Sequence, residues 1–366
     1  MEATIMKILS ALMSFILALS SFFGVPTGNR IRNVIYMIGD GMGENHLAMT
    51  EQMYNVSLNM NTMPQQGYSM TYSAGSLITD SAAGATALAT GMKTNNGVIG
   101  MFPDKNGDLI PAKSITRICM ENRMKTGVIT SDELSAATPG GFTAHTSSRS
   151  NHEDITSQQI ETGFDIMWGR EDGTLTEEQV IEKGYVYIDT TDEMNAPTGN
   201  EKSYGMFTSS VYHTYNKNSY TPTLSQMTEK AIELLDSTSD KSFFLMVEGA
   251  HIDKKSHNED EEGAAEALCE FDNAVEKALE FAKADGSTLV IVTADHETGG
   301  VTLQEDGTYT MTTGSHTSEK VPVRAYSKTY YPFIENGERI NNIDIPEKIL
   351  EALGLSDVTF PCPIVD

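Results

Sequence analysis

The chain alternates between short, uninterrupted apolar runs and longer stretches in which apolar residues recur every three or four positions. Runs of this kind, rich in β-branched residues and ended by Gly or a polar residue, are typical of strands buried on both faces of a parallel sheet. The runs that we predict as strands are residues 33–39, 125–130, 243–247 and 288–293, with 321–326 as a further candidate.

Helical patterns lie between these runs. Apolar residues that share one face predict helices over residues 225–235 and 262–284. Strands that alternate with helices predict an α/β fold, with a doubly wound, mostly parallel central sheet flanked by helices. Residues 168–223, rich in Gly, Asn, Tyr, Ser and Thr, follow neither pattern, and we expect them to form a surface excursion.

The composition excludes some classes of function. Among 366 residues, 25 Lys and Arg stand against 51 Asp and Glu, a formal charge of −26. This balance disfavours binding to nucleic acids or anionic membranes, which requires basic surface. The three Cys are too scattered for a disulfide framework or a CxxC metal motif. Any metal chemistry must therefore depend on His and carboxylate side chains.

An uncharged segment near the N-terminus carries a targeting signal. Residues 8–29 contain no charged side chain, and their apolar core, 8–19, is shorter than the roughly 20 residues that a transmembrane helix needs. That length suits the apolar region of a signal peptide. We expect residues 1–25 to be a signal peptide and the mature protein to be secreted, periplasmic or extracellular. The alternative is an uncleaved membrane anchor that extends through Val25.

Acidic residues and a His follow several predicted strands. Asp40 follows the first strand, Glu248 the third, and Asp295 with His296 the fourth. The carboxyl ends of parallel strands meet at one edge of a sheet, where ligands bind. Three carboxylates gathered there would repel one another unless cations neutralised them. Each alone is more simply a helix cap or a turn residue, so the prediction of a metal site depends on their convergence.

Three further residues extend this candidate site. Asp253 and His257 are four positions apart and would share one face of a short helix, and His316 could add another nitrogen. Such a pair is more often a solvated helix face. Mixed His and carboxylate ligands suit zinc, whereas oxygen ligands suit magnesium. We expect structural or surface roles for the other His, which are His46, His145, His152, His213 and His251.

Ser81 is the candidate nucleophile. It follows an Asp at the start of an Ala-rich helical stretch, residues 79–91. The partial positive charge of a helix N-terminus favours a phosphate beside the hydroxyl, and the simpler alternative is an N-cap Ser. The chain has no GxSxG motif, so a metal would have to activate Ser81. The Arg149 guanidinium could clamp two phosphoryl oxygens, with a surface ion pair as the alternative.

Six ordered motifs resemble those of the alkaline phosphatase family, over about residues 33–327. They are Asp40-Gly41-Met42-Gly43, Thr79-Asp80-Ser81-Ala82-Ala83, Ala137-Thr138-Pro139 through His145 and Arg149, the segment from Val247 to His257, Thr293-Ala294-Asp295-His296-Glu297, and Gly314-Ser315-His316-Thr317. The resemblance implies a single alkaline phosphatase-like catalytic domain over residues 30–366, with surface insertions.

The resemblance also implies a role for each matched residue. Ser81 would be phosphorylated during turnover, and Arg149 would bind the phosphate. Two Zn²⁺ and one Mg²⁺ would be the cofactors. The implied ligands are Asp253, His257 and His316 for one zinc, Asp40, Asp295 and His296 for the other, and Asp40, Thr138 and Glu248 for magnesium.

The chain departs from the enteric bacterial members of this family at two positions. Ala136 stands where they have an Asp that orders magnesium-bound water, and Thr298 replaces a His beside a zinc ligand. We expect both contacts to be lost. Lys254 directly follows Asp253, as in those members, and would reach phosphate through water unless it is simply solvated.

The sequence therefore predicts a secreted, metal-dependent phosphomonoesterase that hydrolyses small phosphate monoesters through a phosphoserine on Ser81. The alternatives are a phosphodiesterase or other member of the same superfamily, or a non-catalytic metal- or phosphate-binding protein. Nucleic acid is not an expected partner, and a membrane is one only if the N-terminal segment stays as an anchor. With 19 residues between His296 and His316, the surface insertion often used for dimerisation is minimal, so a homodimer is left open.

Overall fold

The computed structural model describes residues 30–197, 199, 201–208, 220–237 and 242–364. The predicted signal peptide, residues 1–25, lies outside them. The chain from Ile31 onward clusters as one unit. Within the described ranges, no helix combines the length and the apolar character needed to cross a bilayer.

Strands and helices alternate along the described chain. The strands are β1 (Asn33–Gly39), β2 (Gln65–Met70), β3 (Met101–Pro103), β4 (Leu109–Pro111), β5 (Lys125–Glu133), β6 (Ile166–Arg170), β7 (Val186–Ile188), β8 (Ser203–Phe207), β9 (Phe243–Gly249), β10 (Thr288–Thr293), β11 (Glu297–Thr298), β12 (Thr302–Leu303), β13 (Tyr309–Thr310), β14 (His316–Thr317), β15 (Val321–Ser327) and β16 (Arg339–Asn341). The helices are α1 (Glu44–Tyr54), α2 (Ser81–Thr90), α3 (Ile115–Glu121), α4 (Ala137–Thr143), α5 (His152–Thr162), α6 (Glu177–Glu182), α7 (Thr191–Met194), α8 (Leu224–Asp236), α9 (His251–Ser256), α10 (Glu261–Asp285) and α11 (Asp344–Ala352).

The central sheet has ten strands in the order β16-β2-β15-β10-β1-β9-β5-β6-β8-β7. Neighbouring strands from β10 to β7 are parallel. Strand β15 is antiparallel to both β10 and β2, whereas β16 runs parallel to β2. The predicted doubly wound, mostly parallel sheet is confirmed, and each apolar run that we predict as a strand lies in one of its strands.

Apolar side chains cover both faces of this sheet. Along β1, Ile35 and Met37 belong to one buried cluster, whereas Tyr36 and Ile38 belong to another, as the alternation of side chains along a strand requires. Helices α8 and α10 pack on the first face and confirm the two helices predicted from apolar spacing. Each fully buried side chain of this kind stabilises the fold by roughly 1.5–3 kcal/mol. The central strands therefore form a firmly packed support for the residues at their ends.

The prediction of a surface excursion over residues 168–223 is wrong. Within the described part of this segment, β6, β8 and β7 extend the central sheet. Trp168 is fully buried, and its indole Nε1 donates a hydrogen bond to Ser203 Oγ at 3.0 Å. The absence of a side chain at Gly205 lets the indole lie against β8, because a Cβ there would meet Trp168 Cδ1 at 2.8 Å. These strands have only three to five residues, and polar helices and turns separate them, so the apolar signal is diluted.

Candidate active site

The ends of three central strands bring carboxylates to one edge of the sheet. Strand β1 pairs with β9 and β10 so that Ile38 lies opposite both Glu248 and Thr293. Asp40 directly follows β1, and Asp295 is the second residue after β10. The convergence of these acids, predicted from their place after strands of a parallel sheet, is present in the structure.

Asp40, Asp295 and His296 form one group of buried donors. Their ligand atoms lie within 4.8 Å of one another, and His296 Nε2 is 3.5 Å from Asp40 Oδ1 and 3.3 Å from Asp295 Oδ2. Among the described residues, none donates a hydrogen bond to either of these two carboxylate oxygens. A buried carboxylate oxygen without a partner is energetically costly. A divalent cation would satisfy both, so this donor set fits zinc.

Asp253 lies between two His side chains in a second group. His257 Nε2 is 3.4 Å from Asp253 Oδ2, and His316 Nε2 is 3.4 Å from Asp253 Oδ1. Asp253 lies in α9 and His257 is the C-cap of that helix, so the four-residue spacing brings the two together as predicted. Donor atoms of Asp253, His316 and His296 also lie within 4.8 Å of one another, which places His296 between the two groups.

The hydrogen bonds of His257 and His316 determine which ring nitrogen of each side chain can bind a cation. His257 Nδ1 lies 2.9 Å from the Gly314 carbonyl oxygen, and His316 Nδ1 lies 2.9 Å from that of Thr79. A carbonyl oxygen only accepts, so each Nδ1 carries a proton. In the neutral rings each Nε2 then presents a lone pair, and the two Nε2 atoms face each other at 3.1 Å. A cation shared with Asp253 would relieve the repulsion between these lone pairs, which is the arrangement expected of zinc ligands.

Negative charge dominates the electrostatics of the site. Burial first, and then the carboxylates of Asp295, Asp253 and Glu248, raise the pKa of Asp40 well above its ordinary value. Burial is also the main reason that the pKa of Glu248 is raised to about 8. Burial alone would raise the pKa of Asp253 as well, but the neighbouring His316, His296 and Thr298 side chains hold it below its ordinary value. Crowded, buried carboxylates of this kind favour the binding of cations.

Glu248 and Thr138 lie together at the predicted magnesium position. The Thr130 hydroxyl donates a hydrogen bond to Glu248 Oε2. The Thr138 hydroxyl, from the first turn of α4, is close enough to lower the pKa of Glu248 in part, but it is buried and forms no hydrogen bond with the described residues. Both residues are buried. A donor set made only of oxygens suits magnesium better than zinc.

Ser81 is the first residue of α2 and not its N-cap. The N-cap is Asp80, whose Oδ1 accepts a hydrogen bond from the Ala83 backbone N–H at 2.9 Å. The simpler interpretation of Ser81 as an N-cap is therefore wrong. Its hydroxyl instead lies 3.2 Å from His296 Nε2, and the residue is only 4% exposed. The candidate nucleophile thus contacts the donor groups directly.

The two side chains predicted to bind phosphate each pair with a carboxylate. Arg149 Nη1 is 3.3 Å from Asp80 Oδ2, and its guanidinium is close enough to Asp40 to lower the pKa of that carboxyl in part. The Arg149 side chain is 42% exposed, so its remaining donors can reach a ligand. Lys254 Nζ lies 2.5 Å from Asp132 Oδ1, so Lys254 forms an ion pair and is not simply solvated.

The sequence matches the model of a known protein family. The model described as alkaline phosphatase matches residues 31–167 and 157–348. The chain belongs to the alkaline phosphatase family. It is 36% identical to alkaline phosphatase 4 of Bacillus subtilis over 300 residues, which cover 76% of this chain and 64% of the relative. It is 32% identical to the alkaline phosphatase of Escherichia coli over 333 residues, which cover 72% of this chain and 70% of the relative.

Solved alkaline phosphatases share the fold. The structure of the alkaline phosphatase from the Antarctic bacterium TAB5 is 29% identical, with a TM-score of 0.77, and the match covers 89% of this chain and 99% of that one. The match to the two Bacillus subtilis alkaline phosphatases, numbers 4 and 3, spans 64% of their length. The family and the fold predicted from the sequence are thus confirmed.

Thr298 retains a contact that we expect the chain to lose. Its hydroxyl donates a hydrogen bond to Asp253 Oδ1 at 2.5 Å and lies 3.2 Å from His296 Nδ1. The expectation of a lost contact at this position is therefore wrong. Thr298 lies in β11 and contacts one residue from each donor group.

Asp132 is a buried residue near the site that the sequence analysis misses. It is the second-to-last residue of strand β5, immediately before Glu133, and is 7% exposed. Its charge contributes to the raised pKa of Glu248. Asp132, like Asp40, is an acid at the carboxyl end of a central strand, and this position is the signal in the sequence that indicates it.

The other described His lie outside the donor groups. His46 Nε2 lies 3.1 Å from Ser256 Oγ, and burial lowers the pKa of His46 to about 4. Burial likewise lowers the pKa of His251 to about 3. His152 contacts a Ser hydroxyl at the surface of α5. His213 lies outside the described residues.

Proposed function

We propose that the chain is a secreted, metal-dependent phosphomonoesterase that forms a phosphoserine on Ser81. The observation that carries the proposal is the contact of the Ser81 hydroxyl with His296, 3.2 Å apart, at the point where the two donor groups meet. Family membership supports the reaction class, because the matched relatives are named alkaline phosphatases. Small phosphate monoesters are the substrates that we propose.

The proposal includes two zinc ions and one magnesium ion. The residues that would hold them are Asp253, His257 and His316 for one zinc, Asp40, Asp295 and His296 for the other, and Asp40, Thr138 and Glu248 for magnesium. When bound, such cations stabilise the charge that develops on the attacking and leaving oxygens of a phosphoryl transfer. A mutant of the TAB5 enzyme is described with magnesium in a site called M3, which supports magnesium in this family.

Ser81 attacks phosphorus in this mechanism. Its Oγ loses the hydroxyl proton and forms a new bond to phosphorus as the ester bond breaks, and the departing alkoxide takes up a proton to leave as the alcohol, so that the number of protons is unchanged. Water then cleaves the phosphoserine, which restores the Ser81 hydroxyl and releases inorganic phosphate. The N-terminus of α2, where Ser81 is the first helical residue, favours an anion at this position through its partial positive charge.

Arg149 orients the phosphoryl group. One guanidinium nitrogen is held by Asp80 at 3.3 Å, and the planar fork can present its other donors to two phosphoryl oxygens. Asp80 is itself fixed, because its carboxylate accepts hydrogen bonds from the backbone N–H groups of Ala83 and Gly97. The N-terminal end of α2 thus supplies the nucleophile Ser81 and, through its N-cap Asp80, positions the phosphate-binding Arg149.

A variant of the nucleophile tests the proposal. Purified Ser81→Ala should lose monoester hydrolysis and the phosphoprotein seen by mass spectrometry after an acid quench, while it keeps its zinc. Ser76→Ala, which removes an exposed hydroxyl a few residues upstream, is the matched control and should behave as wild type. Retention of hydrolysis by Ser81→Ala, or a preference of the wild type for phosphate diesters over monoesters, would contradict the proposal.

The proposal also includes a signal peptide over residues 1–25, followed by one catalytic domain over residues 30–366. Secretion would be tested by N-terminal sequencing of protein recovered from outside the cytoplasm. A cleaved N-terminus near residue 25 would support export, and an intact one in the membrane fraction would favour the anchor.

A further inference from the structure

Asp132 is an anchored carboxylate to which the proposed function assigns no role. Its Oδ1 accepts a hydrogen bond from Lys254 Nζ at 2.5 Å, and Arg170 Nη2 lies 3.7 Å from the same oxygen. The Asp132 side chain is 10% exposed, whereas that of Lys254 is 44% exposed. The buried carboxylate is therefore the fixed partner, and the long Lys side chain is the one that it restrains.

The backbone of β5 aims Asp132 at this position. Pairing of β5 with β6 is regular from Gly127 to Ile129 and resumes only at Glu133, so the residues between them form a bulge. Bulges redirect side chains and occur often beside active sites. The Asp132 N–H donates to Thr130 Oγ1 at 3.0 Å, and the Thr130 hydroxyl in turn donates to Glu248. The bulge is thus fastened to a residue of the site.

Ala136 offers nothing to hold Lys254. It is the N-cap of α4, makes no side-chain hydrogen bond there, and ends at a methyl group. In the present chain the carboxylate that meets Lys254 comes from β5 instead.

We propose that Asp132 pairs with the Lys254 ammonium at the edge of the phosphate site and reduces the charge that this ammonium presents to a bound phosphate. This inference rests on the proposed function of the same site. Asp132 lies close enough to Glu248 to raise the pKa of that carboxyl, so the Lys254 ammonium that pairs with Asp132 lies at the edge of the site. An ammonium paired with a carboxylate attracts a phosphate less strongly than an unpaired one. Asp132 therefore weakens the hold of the site on phosphate and favours release of the product.

The test compares inorganic phosphate binding to the metal-loaded full chain by calorimetry. Asp132→Asn should bind phosphate more tightly by about three- to tenfold and show a lower KM. Glu133→Gln is the matched control, because Glu133 pairs with Arg170 and not with Lys254, and it should bind phosphate as the wild type does. Asp132→Glu, which keeps the charge, should restore binding to near the wild-type value.

A double variant shows whether Asp132 acts through Lys254. In a Lys254→Met background, the change Asp132→Asn should alter phosphate affinity by less than about twofold. Phosphate affinity that is unchanged or weaker in Asp132→Asn, or the full shift in the Lys254→Met background, would overturn the inference. Where Asn is not tolerated at this buried position, Asp132→Ser serves the same comparison. Failure of the wild type to bind phosphate at all would overturn the proposed function instead.

Discussion

His257 Nε2 and His316 Nε2 lie 3.1 Å apart, and each ring has its Nδ1 bonded to a backbone carbonyl. The carbonyls fix both tautomers, so two lone pairs point at the space beside Asp253. The protein thus holds two nitrogens in an arrangement that is unfavourable without a cation. Preorganisation of this kind is what a tight zinc site needs.

Replacing His316 tests this arrangement. His316→Gln removes one of the two facing nitrogens, and we expect zinc affinity to fall by more than about 100-fold. Competition with a chromophoric chelator measures that affinity. His152→Gln, at the surface of α5, is the control and should bind zinc as the wild type does. Equal zinc affinity in the two variants would contradict the assignment.

Thr298 should tune metal affinity from outside the ligand set. Its hydroxyl contacts Asp253 and His296, one residue from each donor group. Thr298→Val keeps the shape and removes both contacts, so we expect zinc to bind about 10- to 100-fold more weakly. The exposed Thr302→Val is the matched control. Unchanged zinc affinity in Thr298→Val would mean that the hydroxyl does not support the ligands.

Trp168 should be a major source of stability. The side chain is fully buried in β6, so Trp168→Ala should reduce the free energy of unfolding by about 3–5 kcal/mol. Urea denaturation measures the loss. Tyr330→Ala, at a position that is 73% exposed, should change it by less than about 0.5 kcal/mol. Similar values for the two variants would argue against the placement of β6 within the sheet.

His46 should make the protein sensitive to acid. Burial lowers its pKa from 6.5 to about 4 in the folded state, so the unfolded chain binds more protons between these values. Stability should therefore fall as pH falls from about 6.5 to about 4, by up to about 3 kcal/mol from this residue.

Unfolding of His46→Gln across that pH range measures the effect. Its stability should fall less steeply with acid than that of the wild type, whereas the control His152→Gln should keep the wild-type slope. Parallel pH profiles for wild type and His46→Gln would show that His46 does not titrate on unfolding.

Much of the fold and of the site can be predicted from the sequence, because both depend on local patterns. Uninterrupted β-branched runs identify the central strands, and Asp40 and Asp295 follow from their place after those strands. Contacts between distant positions are harder to predict. Thr298 meets Asp253 across 45 positions, and Asp132 meets Lys254 across 122.

The wrong prediction of a surface excursion has a different cause. Residues 168–223 contain strands β7 and β8, which are too short for their apolar residues to form a recognisable run. They are held in the sheet by neighbours such as Trp168 and not by their own propensity. The pattern of apolar residues in a short stretch of sequence therefore cannot identify β7 and β8.

The most direct test of metal-dependent phosphate monoester hydrolysis by this chain is to measure its metal content and its hydrolysis rate, before and after chelation, on the purified protein. We expect two zinc ions per chain, loss of hydrolysis when a chelator removes them, and recovery when zinc and magnesium are returned. A robust rate of monoester hydrolysis by protein that has been shown to be free of metal would contradict the account.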